Sequence, residues 1–273
     1  AGTVPKSIAR TTSAGRSSKR TGRTRKELNQ MTKINDYRQT LKQLNDWIPF
    51  LLKESGLPGP RGNLELAHVV AQEGNKKQFE KFLSFEAKEN TPEVFLVFCG
   101  VVGLGKLAAG EPGLFDRLRP YASDTRWRVR EAVATGLQLA GDQDMDLLLK
   151  EIQKWSRGNW YEKRAAAATL AEPRLLKQPK QVKQALQVLD KITASMEAAD
   201  HAKDESFKVL RQGMGYCWSV VVVALPEAGK PIFEKWLHSQ NEDICWMLKE
   251  NLKKNRLIKM DADWVKACNR KLD

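Results

Sequence analysis

The sequence predicts an all-α protein, an α-solenoid (superhelix) of antiparallel helix pairs stacked side by side. Three observations predict it. Apolar residues recur at three- and four-residue spacing over most of the chain. Capping residues, prolines and glycines cut that pattern into short segments. Two central segments then repeat one another at 34 residues, the length of a helix pair.

Composition is compatible with this. Of 273 residues, 41% are hydrophobic, enough for a packed core and too many for a disordered chain. The helix formers Ala, Leu, Lys, Glu and Gln are common. The net charge of +13 is uneven, because residues 1–30 contribute +7 of it.

That first segment is rich in Ser, Thr, Gly and Arg and has few large apolar residues. It buries too little surface to offset the entropy of ordering, so it is expected to be a disordered basic arm. Three readings compete: a polyanion-binding arm, a targeting peptide without an evident amphipathic face, or a segment foreign to the chain, the last because Met31-Thr32-Lys33-Ile34 looks like a natural start. Residues 31–273 are expected to form the solenoid domain.

From Met31 the elements follow in order. Ile34, Tyr37, Leu41, Leu44, Ile48 and Leu51 carry helical spacing, and Gly56-Leu57-Pro58-Gly59-Pro60 breaks it. Asn63 caps a helix bearing Leu64, Leu66, Ala67, Val70 and Ala71. After Gly74-Asn75, Phe79, Phe82 and Leu83 resume the pattern. Thr91-Pro92 starts the next helix with a capping hydroxyl and proline at the first helical position. Leu114, Leu118 and Tyr121 mark a short helix, followed by Ser123-Asp124-Thr125 and a second helix from Trp127 to Leu137.

Met145, Leu148, Leu149 and Ile152 mark another short helix, then Gly158-Asn159 and a second helix from Trp160 to Leu170. Arg130 and Arg164, Ala134 and Ala168, and Thr135 and Thr169 are each 34 residues apart. Small residues at these places let helices approach closely, as stacking requires. Val182, Leu186, Leu189 and Ile192 make one more amphipathic helix, and 197–205 reads as a loop. Val220–Val223 alone would read as a strand, but its neighbours Phe207, Leu210, Met214 and Trp218 keep helical spacing. Pro231–Leu237 and Ile244–Leu252, joined by Asn241-Glu242-Asp243, form a third copy of the pair.

The Asp124 turn, Val129-Arg130-Glu131-Ala132 and the stretch Asp243–Leu257 (DICWMLKENLKKNRL) resemble bacterial HEAT-repeat proteins over roughly residues 60–260. More distantly, the chain is similar to the helical-repeat DNA alkylation-repair glycosylases. The resemblance implies HEAT-like helix pairs with a concave binding face. Those glycosylases carry a catalytic Asp near Trp residues in a basic cleft. Asp124 before Trp127 and Asp263 before Trp264 do not reproduce that motif, so no catalytic residue is carried over.

Other chemistry is thinly represented. Gly100-Val101-Val102-Gly103-Leu104-Gly105-Lys106 has the spacing of a phosphate-binding loop, but Leu107 replaces the Ser or Thr that holds magnesium. The competing reading is a buried helix with small residues at its packing face. His68, His201 and His238 are scattered, and Cys99, Cys217, Cys245 and Cys268 form no CxxC pair, so no metal site is expected and buried thiols are. No apolar stretch reaches the ~20 residues of a membrane span.

The candidate binding residues are Arg126, Trp127, Arg128, Trp160 and Lys163. The two tryptophans would stack on a partner or else cover the turns between paired helices. Arg130 and Arg164 are expected to pair internally with turn acids such as Asp124 or Asp142, leaving Arg126, Arg128 and Lys163 for phosphates or acidic side chains. The expected function is a non-catalytic, cytoplasmic scaffold that holds a macromolecular partner, foremost a protein, on its concave surface, without cofactor, metal or membrane. The alternative is a sequence-independent DNA-binding protein using the nucleic-acid backbone. Any enzymatic activity would be glycosylase-like.

Overall fold

The computed structural model describes residues 25–199 and 204–272. Among them the regular structure is helical, with no strand. The helices are α1 (Arg25–Gln43), α2 (Ile48–Glu54), α3 (Leu64–Glu73), α4 (Lys76–Leu83), α5 (Pro92–Leu107), α6 (Gly113–Leu118), α7 (Trp127–Gln143) and α8 (Met145–Trp155). There follow α9 (Trp160–Leu170), α10 (Pro179–Glu197), α11 (Glu205–Ala224), α12 (Pro226–Lys235), α13 (Glu242–Leu252), α14 (Asn255–Met260) and α15 (Ala262–Leu272). Val220–Val223 lies in α11 and is helical, as the spacing of its neighbours predicts. The helix α1 begins at Arg25, so the last six residues of the expected arm are helical, and residues 1–24 lie outside the described residues. The expected loop at 197–205 falls between α10 and α11, with residues 200–203 likewise outside.

Short polar side chains set where the helices begin. Asn63, Asn75, Asp144, Asn159, Asp204 and Asn241 each accept a hydrogen bond from a backbone N–H of the helix that follows. They satisfy donors that the first turn leaves without an intrahelical partner. Thr91 departs from expectation. It occupies the cap position before Pro92, but its hydroxyl donates to Lys88 O at 3.2 Å and does not cap α5.

One series of helices packs in sequence: α3 on α5, α5 on α7, α7 on α9, α9 on α11 and α11 on α13. A second series, α8, α10 and α12, packs along its flank. The core runs continuously through both, from Tyr37 to Cys268.

The glycines of the phosphate-loop lookalike lie inside α5 and serve this packing. A Cβ on Gly103 would stand 2.4 Å from the Phe79 ring, and one on Gly100 2.8 Å from Phe79 O. A Cβ on Gly105 would stand 2.4 Å from Gly136 Cα. Thus α4 lies against one side of α5 and the backbone of α7 against another. Val94 to Gly105 are all buried, as they must be where both faces are covered. A phosphate cradle needs backbone N–H groups pointing outward, and here they are spent inside a helix.

Candidate partner-binding face

The turn before α7 builds the first part of the face. Asp124 Oδ1 accepts from Arg126 N and Arg126 Nε, both at 2.8 Å, and Oδ2 accepts from Arg126 Nη2 at 2.7 Å. Arg126 Nη1 also donates to Ala87 O at 3.2 Å. Burial by itself pushes the Asp124 carboxyl up. The hydrogen bonds from Arg126 and the charges of Arg126 and Arg130 more than offset that and hold it below the usual carboxylate range. With both oxygens engaged and the charged form favoured, Asp124 is poorly suited to take a proton. Asp263, the other acid preceding a tryptophan, is exposed and sits 3.3 Å from Lys266 Nζ.

Arg128 is buried, contrary to the expectation that it points outward to a partner. Its Nε and Nη2 donate to Asn90 Oδ1 at 3.2 and 2.9 Å, and Nη2 also reaches Gly59 O at 3.2 Å. Its guanidinium lies 4.4 Å from the Trp127 ring centroid, a cation–π stack. Trp127 itself is 44% exposed, one of few large apolar residues that are.

Trp127 and Arg128 line a partly open cavity of about 190 Å³. Leu57, Leu64, Val94, Phe95 and Phe98 form its apolar wall, and Arg61, Glu131 and Thr135 stand with Trp127 and Arg128 at its polar edge. Its apolar wall is large enough to take a benzene-sized group.

The second part lies one helix further on. Asn159 caps α9 through Glu162 N at 2.9 Å, which places Trp160 and Lys163 in its first turn. Lys163 Nζ lies 4.5 Å from the Trp160 ring centroid and donates to Gly158 O at 2.7 Å. Burial lowers the Lys163 pKa against the raising effect of Glu162. The Trp160 ring meets Phe207 edge-on at 5.3 Å and so joins α9 to α11.

The 34-residue repeat thus yields two related but distinct corners. Trp127 and Arg128 are brought together over the cavity. Trp160 and Lys163 pack on each other elsewhere, and Arg126 is tied into its own turn.

The internal pairing of Arg130 and Arg164 differs in its partners from expectation. Arg130 Nη1 donates to the carbonyls of Asp124 and Thr125, at 2.7 and 3.0 Å, because Arg126 holds the Asp124 carboxylate. Arg164 pairs with Glu131 of α7 and approaches Arg130 O at 3.4 Å. Asp142 instead accepts from Arg174 Nε at 2.9 Å. Repeat-equivalent positions therefore touch across the α7–α9 boundary.

The sequence missed the cavity wall. Phe95 and Phe98 sit in an unbroken apolar run with no visible face, and nothing local shows that Leu57 and Leu64 come to meet them. Among the described residues, no three His, Cys, Asp or Glu side chains are grouped to hold a metal ion. Nor, among them, is any helix long and apolar enough to cross a membrane. No family model, curated protein or solved structure matches the chain.

Proposed function

We propose that this chain is an α-solenoid of HEAT-like antiparallel helix pairs, and that it is a non-catalytic scaffold holding a protein segment at the Trp127 corner. The 34-residue period and the series α3–α5–α7–α9–α11–α13, each packed on the next, support the first statement. Stacked helix pairs in this order curve and present their second helices along one face. The resemblance to bacterial HEAT-repeat proteins, distantly extending to the alkylation-repair glycosylases, agrees with this arrangement.

One observation carries the functional reading. At this corner an apolar cavity stands open beside an exposed tryptophan, while the neighbouring cations are already engaged within the chain. A phosphate backbone needs free cations. A protein partner needs a desolvated pocket for one bulky apolar side chain, with an aromatic or Arg anchor beside it. The second description suits Trp127, Arg128 and the cavity better. A DNA-binding alternative has the chain's positive balance and the distant glycosylase resemblance in its favour, but Arg126 and Arg128 at this corner are engaged within the chain.

The test is selection of peptides from a random display library on the full chain. Selected peptides should share one large apolar residue and bind Trp127→Ala at least tenfold more weakly. They should bind Lys183→Ala, an exposed change on α10, as they bind wild type. Equal binding to the Trp127 variant would overturn the reading. So would duplex DNA binding that falls steeply with salt and vanishes in an Arg126→Ala/Lys163→Ala variant.

A further inference from the structure

A cluster of cations lies elsewhere, at the turn between α13 and α14. Lys253, Lys254, Asn255, Arg256 and Lys259 line one shallow cleft of about 490 Å³. Lys253 pairs with Glu250 three residues earlier. Among the described residues no carboxylate forms a salt bridge with Lys254, Arg256 or Lys259. This is the reverse of the α7 turn, where Arg126, Arg128 and Arg130 all bond inward. In the sequence these cations look like ordinary compensation for a negative helix C-terminus. The structure adds that four of them surround one opening.

A second feature narrows the partner. On α14 Leu257 is fully buried, and the next residue, Ile258, is 42% exposed. An aliphatic side chain therefore stands partly out of the protein beside Lys259, at the edge of the cleft. The last helix, α15, packs on α14; its Lys266 pairs with Asp263, and Lys266 and Arg270 line a separate cleft.

We propose that the α13–α14 turn docks on an anionic lipid surface, with Lys254, Arg256 and Lys259 among the phosphate headgroups and Ile258 inserted beside them. Clustered Lys and Arg beside an exposed aliphatic residue match that interface, where long cationic side chains reach headgroups while an apolar one enters the acyl boundary. A nucleic-acid backbone would use the cations and gain nothing from Ile258. It would also want an exposed ring for base stacking, and α14 carries none. The sequence expectation of no membrane partner is set aside at this one turn.

The experiment is co-sedimentation of the full chain with vesicles of phosphatidylglycerol and phosphatidylcholine, with pure phosphatidylcholine vesicles as the uncharged comparison. Each cation at such a surface contributes roughly a fivefold factor, so Lys254→Gln/Arg256→Gln/Lys259→Gln should partition about a hundredfold more weakly. Ile258→Ser alone should weaken partition by about threefold to tenfold. All four residues except half-buried Lys254 are exposed, so these variants keep the fold. If the triple variant partitions like wild type, the site is refuted. If the triple variant loses duplex DNA instead, and Ile258→Ser changes neither ligand, the turn is a nucleic-acid contact and the proposal falls.

Discussion

Replacing Gly105 by Ala adds one methyl group where two helix backbones cross. The new Cβ would lie 2.4 Å from Gly136 Cα, 2.5 Å from its carbonyl carbon and 2.8 Å from its oxygen. Carbon atoms in contact rest at about 3.5–4.0 Å, so α5 and α7 must separate by about 1 Å. No flexible side chain can yield, because every one of those atoms is backbone. A gap of that size forfeits roughly a quarter to a half of the dispersion energy of the contacts it opens. Overpacking in a tight core costs about 1–3 kcal/mol and sometimes more, and this case belongs at the upper end. Better helix propensity returns about 1 kcal/mol.

The net loss is therefore about 2–3 kcal/mol, or a fall of about 5–10 °C in the midpoint of thermal unfolding followed by circular dichroism. Gly136→Ala is the informative neighbour. Its nearest atoms are at 3.1–3.2 Å, so a shift of a few tenths of an ångström suffices and the net change should stay within about 1 kcal/mol. Gly113→Ala, with nothing within 4 Å, should be neutral or slightly stabilising. If Gly105→Ala melts at or above the wild-type temperature, the backbones do not meet there. The account of the phosphate-loop lookalike as a helix crossing would then be wrong.

Three other outcomes are expected. Arg128→Met should cost about 1–3 kcal/mol in urea unfolding, because it strips donors from Asn90 and Gly59 O. A midpoint equal to wild type would show that those bonds count for nothing. Under native conditions a thiol reagent should label Cys245 first. Cys99, Cys217 and Cys268 are buried, and burial raises their pKa values, to about 12 for Cys217 and about 11 for Cys268. Rapid labelling of all four would contradict that packing.

The last concerns pH. Asp124 has a folded-state pKa below the usual aspartate value of about 3.9, so its contribution to stability is present above that value and lost as pH falls through the folded one. The stability difference between wild type and Asp124→Asn should be flat from about pH 7 to 5 and shrink below about pH 4. A difference that persists unchanged to pH 2 would rule out the charged pair as its source.

Much of the fold was legible because it is written locally. Apolar spacing and the breaks at Gly74-Asn75, Thr91-Pro92, Gly141-Asp142 and Gly158-Asn159 place helix ends within a residue or two. The candidate face was less so. Arg126, Arg128 and Arg130 look alike in sequence, yet one clasps its own turn, one is buried under Trp127, and one serves backbone carbonyls. In the sequence nothing sets Asn251 apart from the other polar residues of its basic stretch. It is fully buried, donates to Met214 O and Met247 O at 2.8 Å, and accepts from Ser219 N at 2.8 Å, tying α13 to α11.

By itself, then, the sequence determined that the chain is helical, where helices start and stop, and that two helix pairs repeat at 34 residues. Periodicity and capping depend on neighbours within about four residues, which a sequence displays directly. Only the tertiary structure decided which cations are spent, which glycines touch another backbone, and that Leu57, Leu64, Phe95 and Phe98 line a cavity beside Trp127. Each of those outcomes turns on what a residue 30 to 70 positions away presents, as Asn90 and Gly59 do to Arg128. A long side chain's partner is set by packing, and packing is a property of the assembled helices.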